Sequence, residues 1–267
     1  MASVDVRGTS IHYAERNAQR ADALVLLHAF PVHGGMWREV MDGLPATWRV
    51  IVPDFRGFGE SGGAGETAAF TIEALADDVQ AMVEQLGLGK VVLAGLSMGG
   101  YVALAFAKKY PQSLRGLVLL DTKAGADTAE GKENRDRMIA IAREKGAKPI
   151  AQAMLGKMIP AETAAHRPTL AQELLEMMES TRAETIAHAL AAMRDRPDRT
   201  GELALIKVPT LVGVGDQDEI TPVEVAREMA AKIPGARLKV FTGSGHMSAM
   251  EQPSQVAAAV TEFLARI

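Results

Sequence analysis

The stretch Val91-Val92-Leu93-Ala94-Gly95-Leu96-Ser97-Met98-Gly99-Gly100 joins an apolar run, a serine between glycines and the start of a helical pattern. The run VVLAG is apolar on consecutive residues, which suits a strand buried on both faces of a sheet. From residue 98 to 109 the spacing turns helical, and Pro111 closes it. Between the two, GLSMG fits the pattern GxSxG. In a chain with 25 glycines that pattern says little by itself, but a strand before it and a helix after it are the setting a nucleophilic serine needs. Glycines two positions before and after Ser97 keep side chains out of a tight turn and leave the hydroxyl exposed at a helix N-terminus. A glycine-rich turn with an N-capping serine would read the same way, so the rest of the chain must decide.

Working outward, similar apolar runs end in Gly, Pro, Asp or His at 23–28 (ALVLLH), 50–53 (VIVP), 115–121 (RGLVLLD) and 210–215 (TLVGVG), and a further run lies at 237–241 (RLKVF). They predict a mostly parallel sheet with helices between its strands. A helix over 72–86 carries Ile72, Leu75, Ala76, Val79, Met82, Val83 and Leu86 on one stripe, with Thr71 as its N-cap and Gly87 just past its end. Another starts at Pro253 or Ser254 and runs to residue 265. Two short pieces at 4–6 and 11–13, around Arg7 and Gly8, predict an opening hairpin. From 125 to 205 no strand-like run occurs. Three helix faces are legible there: Ala151 with Met154, Leu155 and Met158; Leu170, Leu174, Met177 and Met178; and Ile186, Leu190 and Met193. We therefore expect one α/β domain, residues 1–124 and 206–267, interrupted by a helical cap at 125–205.

Composition removes several classes of function. Among 267 residues there is no cysteine, which excludes disulfides, thiolate metal sites and a cysteine nucleophile, leaving an oxygen or a lysine. A formal charge of −4, from 29 basic and 33 acidic residues, gives no footprint for nucleic acid or anionic lipid. No run reaches the length of a membrane span and the N-terminus has no apolar signal core, so the expectation is a cytoplasmic protein with a small-molecule partner. No motif calls for a cofactor or a metal.

A serine hydroxyl needs a base, and the base an orienting carboxylate. Of six histidines, His246 lies in TGSGHM, a glycine-rich loop after the last strand. His12 falls in the hairpin, His166 and His188 in the cap where surface positions are expected, and His28 and His33 beside another loop. The acid is sought at a strand end between serine and base. Asp216, Asp218 and Glu219 follow TLVGVG, and Asp121 at the end of RGLVLLD competes with them. An oxyanion needs two donors. The Met98 N–H directly after the serine is one; the Phe30 N–H in His28-Ala29-Phe30-Pro31 is the other, since proline has no N–H. The alternative is that His28 is structural and its loop merely turns.

These segments together resemble a capped, esterase-like α/β-hydrolase, from about residue 23 to the C-terminus. The resemblance rests on HAFP (28–31), DFRGFGES (54–61), GLSMGG (95–100), GDQDEITP (215–222) and GSGHMSAMEQP (243–253). It implies Ser97 as nucleophile, His246 as base, Asp218 as acid in preference to Asp216 and Asp121, and Phe30 with Met98 as oxyanion donors. It also makes Asp54 and Arg56 structural. Many relatives have glycine where Ala29 stands, and no specific motif covers the cap.

The implied activity is hydrolysis of carboxylic esters with small to medium apolar acyl or aryl groups, without a cofactor. Methionines adapt to varied ligands, but those of the cap could equally glue it to the sheet. The SMGG and HMSAMEQP segments are also similar to enol-lactonases, and the HxFP loop to esterases with perhydrolase side activity. Serine at position 97 argues against haloalkane dehalogenases, which use aspartate there. A slow-turnover ligand receptor on the same scaffold is the alternative from another class.

Overall fold

The computed structural model describes residues 2–62 and 68–267. Eight strands form one sheet: β1 (Ala2–Val6), β2 (Thr9–Arg16), β3 (Ala23–Leu27), β4 (Arg49–Pro53), β5 (Val91–Leu96), β6 (Leu114–Leu120), β7 (Thr210–Gly215) and β8 (Arg237–Phe241). Their order across the sheet is β1-β2-β4-β3-β5-β6-β7-β8. The hairpin is longer than the sequence suggests, and β2 pairs antiparallel with both β1 and β4; every other pairing is parallel. Arg7 (φ 49°) and Gly8 (φ 79°) make its two-residue turn, a geometry whose twist matches paired strands.

The consecutive apolar runs have a direct cause. Along β3, Ala23, Val25 and Leu27 enter an apolar cluster with α2 (Ile72–Gln85) and α3 (Met98–Lys109), while Leu24 and Leu26 enter a second cluster on the other face. That second cluster holds Val40 of α1 (Arg38–Gly43), and Val256 and Val260 of α11 (Pro253–Leu264). Strand β5 divides the same way, with Val91 and Leu93 on one side and Val92, Ala94 and Leu96 on the other. Both faces are covered, so no position along these strands can be polar at low cost. The helix expected over 72–86 ends one residue earlier, and its Thr71 hydroxyl accepts the Ala74 N–H at 3.0 Å.

Between β6 and β7 the chain forms five helices, α4 (Ala129–Lys145), α5 (Ala147–Met158), α6 (Ala161–His166), α7 (Pro168–Glu179) and α8 (Ala183–Asp195). The three expected helix faces fall on α5, α7 and α8; α4 and α6 are additional. The two ends of the segment are tied together. Arg199 N–H reaches Ala124 O at 2.9 Å, and the Arg196 guanidinium donates to Gly125 O at 2.9 Å and pairs with Asp127 at 2.9 Å. Arg196 also stacks over the Tyr101 ring at 4.1 Å. Helix α9 (Val223–Lys232) and the short α10 (Ser248–Glu251) complete the chain. Among the described residues no helix is long and apolar enough to cross a membrane.

Burial opposes the Asp127 charge, but hydrogen bonds from Arg135 and Arg196 outweigh it and hold this carboxyl well below the usual carboxylate range. A depressed folded pKa contributes stability above the unfolded value of about 4, and that stability is lost as pH falls through the folded value. Asp127→Ala leaves the buried Arg196 without its charge partner and should cost about 3 kcal/mol, read as a lower urea midpoint at neutral pH. The difference between variant and parent should shrink as the medium is acidified.

Candidate active site

Strand β5 delivers Ser97 in a backbone conformation that L residues rarely adopt, φ 53° and ψ −113°. Such a conformation costs about 1–3 kcal/mol and persists only where its surroundings over-determine it. Here they do. Ser97 N–H donates to Leu120 O at 2.9 Å, and Ser97 O accepts from Gly100 N–H at 2.9 Å and from the Thr122 hydroxyl at 2.8 Å. The flanking glycines answer a packing constraint. A Cβ on Gly95 would lie 2.2 Å from Gly99 O, and one on Gly99 would lie 2.2 Å from Leu27 O. The same close approach sets the first turn of α3 against the end of β3.

Because β3, β5, β6, β7 and β8 are parallel, their carboxyl ends bring the loops after them to one edge of the sheet. His246, on the loop between β8 and α10, has Nε2 2.8 Å from Ser97 Oγ and Nδ1 2.8 Å from Asp218 Oδ2. Its side chain and that of Asp218 are almost completely removed from solvent. Asp218 Oδ1 accepts N–H bonds from Ile220 at 2.8 Å and Thr221 at 2.9 Å, and Oδ2 accepts the Thr221 hydroxyl at 2.6 Å. Burial works against that charge, but the His246 imidazole and the Thr221 donors more than offset it, so the carboxyl lies below its ordinary pKa. Asp218 is thus set up as an anion beside the imidazole.

The competing acids have other partners. Asp216 is exposed and accepts N–H bonds from Gly243 and Ser244 at 2.9 and 3.2 Å, which shapes the histidine loop from outside. Glu219 is exposed. Asp121 is fully buried, accepts the Gly215 N–H at 2.8 Å and bonds to the Ser248 hydroxyl. Burial first, and the Asp218 charge second, push its carboxyl well above the usual range. It ties β6 to β7 and to α10.

Phe30 and Met98 are both buried, Phe30 in the loop after β3 and Met98 as the first residue of α3. A Cβ on Gly99 would also lie 2.9 Å from His28 O, so the loop carrying Phe30 adjoins the turn at Ser97. The Ala29 N–H in that loop is engaged by Met36 Sδ at 3.2 Å. His28 is fully buried, with Nδ1 2.8 Å from Ala29 O and Nε2 accepting the Phe55 N–H at 3.0 Å. Burial lowers its pKa to about 4, so it is a neutral structural imidazole. His33 accepts the Gly35 N–H at 3.1 Å. His166 is exposed as expected, whereas His188 departs from a surface position, with a side chain only 13% exposed, its Nε2 3.1 Å from Glu184 and its ring edge against Phe70. Asp54 accepts N–H bonds from Gly34 and Glu60 at 2.7 and 3.0 Å, and Arg56 makes two bonds of 2.5 Å to Asp78, so both serve the loop's structure. Among the described residues no three His, Asp or Glu side chains converge as a metal-ligand set.

A family model described as alpha/beta hydrolase fold matches residues 22–253. The chain belongs to this family. The hydrolase is 32% identical over 249 residues to the AB hydrolase superfamily protein YisY of Bacillus subtilis, covering 90% of each chain. Among solved structures it is similar to a thermophilic esterase from Thermogutta terrifontis, with malate bound (TM-score 0.93, 39% identity, 99% of this chain and 96% of that one). It is also similar to an enol-lactonase from Burkholderia xenovorans (TM-score 0.91, 27% identity, 99% of this chain and 100% of that one). The hydrolase thus has esterase and enol-lactonase neighbours that each cover 99% of the chain. Sequence reasoning did not single out Thr122, Thr221 or Glu251; Thr221 and Glu251 lie inside the GDQDEITP and GSGHMSAMEQP segments and Thr122 directly follows RGLVLLD, but only the folded backbone gives each its partner.

Proposed function

We propose that the protein is a serine esterase that cleaves carboxylic esters of small to medium apolar acyl or aryl groups through an acyl-enzyme on Ser97. The observation that carries this reading is the unbroken chain Ser97 Oγ, His246, Asp218, with 2.8 Å on either side of the imidazole. His246 Nε2 takes the hydroxyl proton as Ser97 Oγ attacks the ester carbonyl, and Asp218 holds Nδ1 protonated and stabilises the imidazolium. The Met98 and Phe30 N–H groups stabilise the oxyanion. His246 then gives its proton to the departing alcohol, and a water, activated by the same imidazole, releases the acid. Residues 125–205 act as a cap on the body formed by 1–124 and 206–267. Met158, Met177, Met178 and Met193 are buried in the apolar clusters shared with the sheet domain, which makes them the cap's anchor; Met154 and Leu155 remain half-buried.

Treatment with an organophosphonate followed by mass spectrometry tests the mechanism: the adduct should appear on Ser97 alone, and a folded protein that stays unlabelled removes the proposal. Similarity to the enol-lactonase supports a second reading, lactone hydrolysis by the same residues. Steady-state rates on p-nitrophenyl acyl esters against enol-lactones separate the two. Binding without turnover across both sets would favour the receptor reading instead.

A further inference from the structure

The loop that carries His246 has three consecutive N–H groups, and all three are held. His246 N–H donates to Met158 O, at the end of α5, at 3.0 Å. The groups on either side, Gly245 N–H and Met247 N–H, both donate to Glu251 Oε1, at 2.9 and 3.1 Å. The Ser244 hydroxyl reaches the same oxygen at 3.4 Å. Glu251 Oε2 faces the other way and accepts the Thr163 hydroxyl of α6 at 3.2 Å, while the Glu251 carbonyl accepts from Arg167 at 2.6 Å. The Glu251 residue is 2% exposed. A Cβ at Gly245 would lie 2.6 Å from Pro160 Cδ, so the helical segment presses directly on this loop.

We propose that Glu251 is a positioning residue for His246: its carboxylate clamps the backbone on both sides of the imidazole and fastens that loop to the helical segment between β6 and β7. The Met247 N–H on that oxygen fixes the 246–247 peptide plane, the His246 N–H on Met158 O fixes the 245–246 plane, and the Gly245 N–H on the same Glu251 oxygen fixes the plane before it; the two planes that flank residue 246 set the direction of its Cα–Cβ bond. An imidazole that must meet Ser97 Oγ and Asp218 Oδ2 at once tolerates little rotation of that bond. The helical segment between β6 and β7 therefore holds the base from behind, through Met158, Thr163 and Arg167. The role rests on the esterase reading of Ser97 and His246.

The clamp acts through the reach of an acceptor oxygen, which separates it from a charge effect and from simple anchoring. Glu251→Gln keeps an amide oxygen at the position of Oε1; Glu251→Asp keeps the charge and withdraws the oxygen from the loop. The test measures kcat and KM on p-nitrophenyl butyrate, the pH profile, the melting temperature, and the downfield proton NMR signal of His246 Nδ1–H. Glu251→Asp and Glu251→Ala should lower kcat by about 10- to 100-fold at little-changed KM. Their pH profile should shift and the Nδ1–H signal should broaden or vanish, while Glu251→Gln recovers most of the rate and the signal. Equal damage in Gln and Ala, or a sound Asp variant beside a damaged Gln variant, overturns the clamp. So does a fall in melting temperature with kcat and the NMR signal unchanged. If Ala fails to fold, the Gln and Asp pair still decides. If the parent protein neither labels at Ser97 nor turns over esters, the esterase reading fails, and the NMR signal alone still reports whether Glu251 holds the imidazole.

Discussion

Replacing Ser97 by alanine should lower ester turnover by about 10⁵- to 10⁶-fold, because the proposed chemistry passes through a bond to its Oγ and no other group takes its place. The fold should be indifferent to the change. Alanine has the same Cβ as serine, so the strain at φ 53° is neither added nor removed, and Ser97 Oγ makes its one side-chain bond to His246. Glycine is the more informative replacement. It adopts positive φ without penalty, so Ser97→Gly should be inactive and yet more stable by about 1 kcal/mol, after allowance for the extra freedom of its unfolded chain. Denaturant titration of parent, Ala and Gly variants, alongside rates on p-nitrophenyl butyrate, checks both halves. Residual turnover above about 1% of the parent in a pure Ala sample would remove Ser97 from the mechanism.

Asp218→Asn should cost about 10⁴-fold in turnover, since an amide no longer stabilises the imidazolium and favours the wrong tautomer of His246. Asp121→Asn should stay within about tenfold of the parent, because asparagine keeps an oxygen for the Gly215 N–H and a hydrogen-bonding group for Ser248. The asymmetry follows from environment. Both carboxyls are buried at neighbouring strand ends, but Asp218 has the imidazole and three donor bonds from its own loop, whereas Asp121 has two partners and a nearby negative charge. Two anions so placed repel each other, and the group with fewer donors is the one whose charge is suppressed. Kinetics of the two Asn variants under identical conditions decide the assignment; a larger loss in Asp121→Asn would reverse it.

The strands are legible to within a residue or so wherever both faces are buried, as in β3 and β5, because every position is then apolar. The hairpin was less so: β2 extends to Arg16, and its outer residues are polar on a strand near the sheet edge. Helix α4 escaped notice for a related reason. Its sequence, AEGKENRDRMIAIAREK, buries only Ala142, so hardly any apolar stripe marks it, although Thr128 caps it through the Gly131 N–H at 3.1 Å. Helices α5, α7 and α8, which bury methionine and leucine, were visible.

The candidate site divides along the same line. The α/β-hydrolase family, the tight turn at Ser97 and the histidine loop are legible from the chain alone, because each is carried by residues close together in it: a strand, two glycines, a helix. The resemblance carried by GDQDEITP prefers Asp218, but that its carboxylate reaches the His246 imidazole, that His28 is buried and bonded within its own loop, and which groups bond to the histidine loop exist only in the folded chain. Asp121 follows one apolar strand directly and Asp218 follows another by three residues, and apart from the GDQDEITP resemblance their local sequence does not choose between them. They are told apart by hydrogen-bond donors from Thr221, Ile220, Gly215 and Ser248 and by an imidazole 28 residues away. Charge and proton affinity in a buried site depend on distance and on the count of donors, and those quantities exist only once the chain is folded.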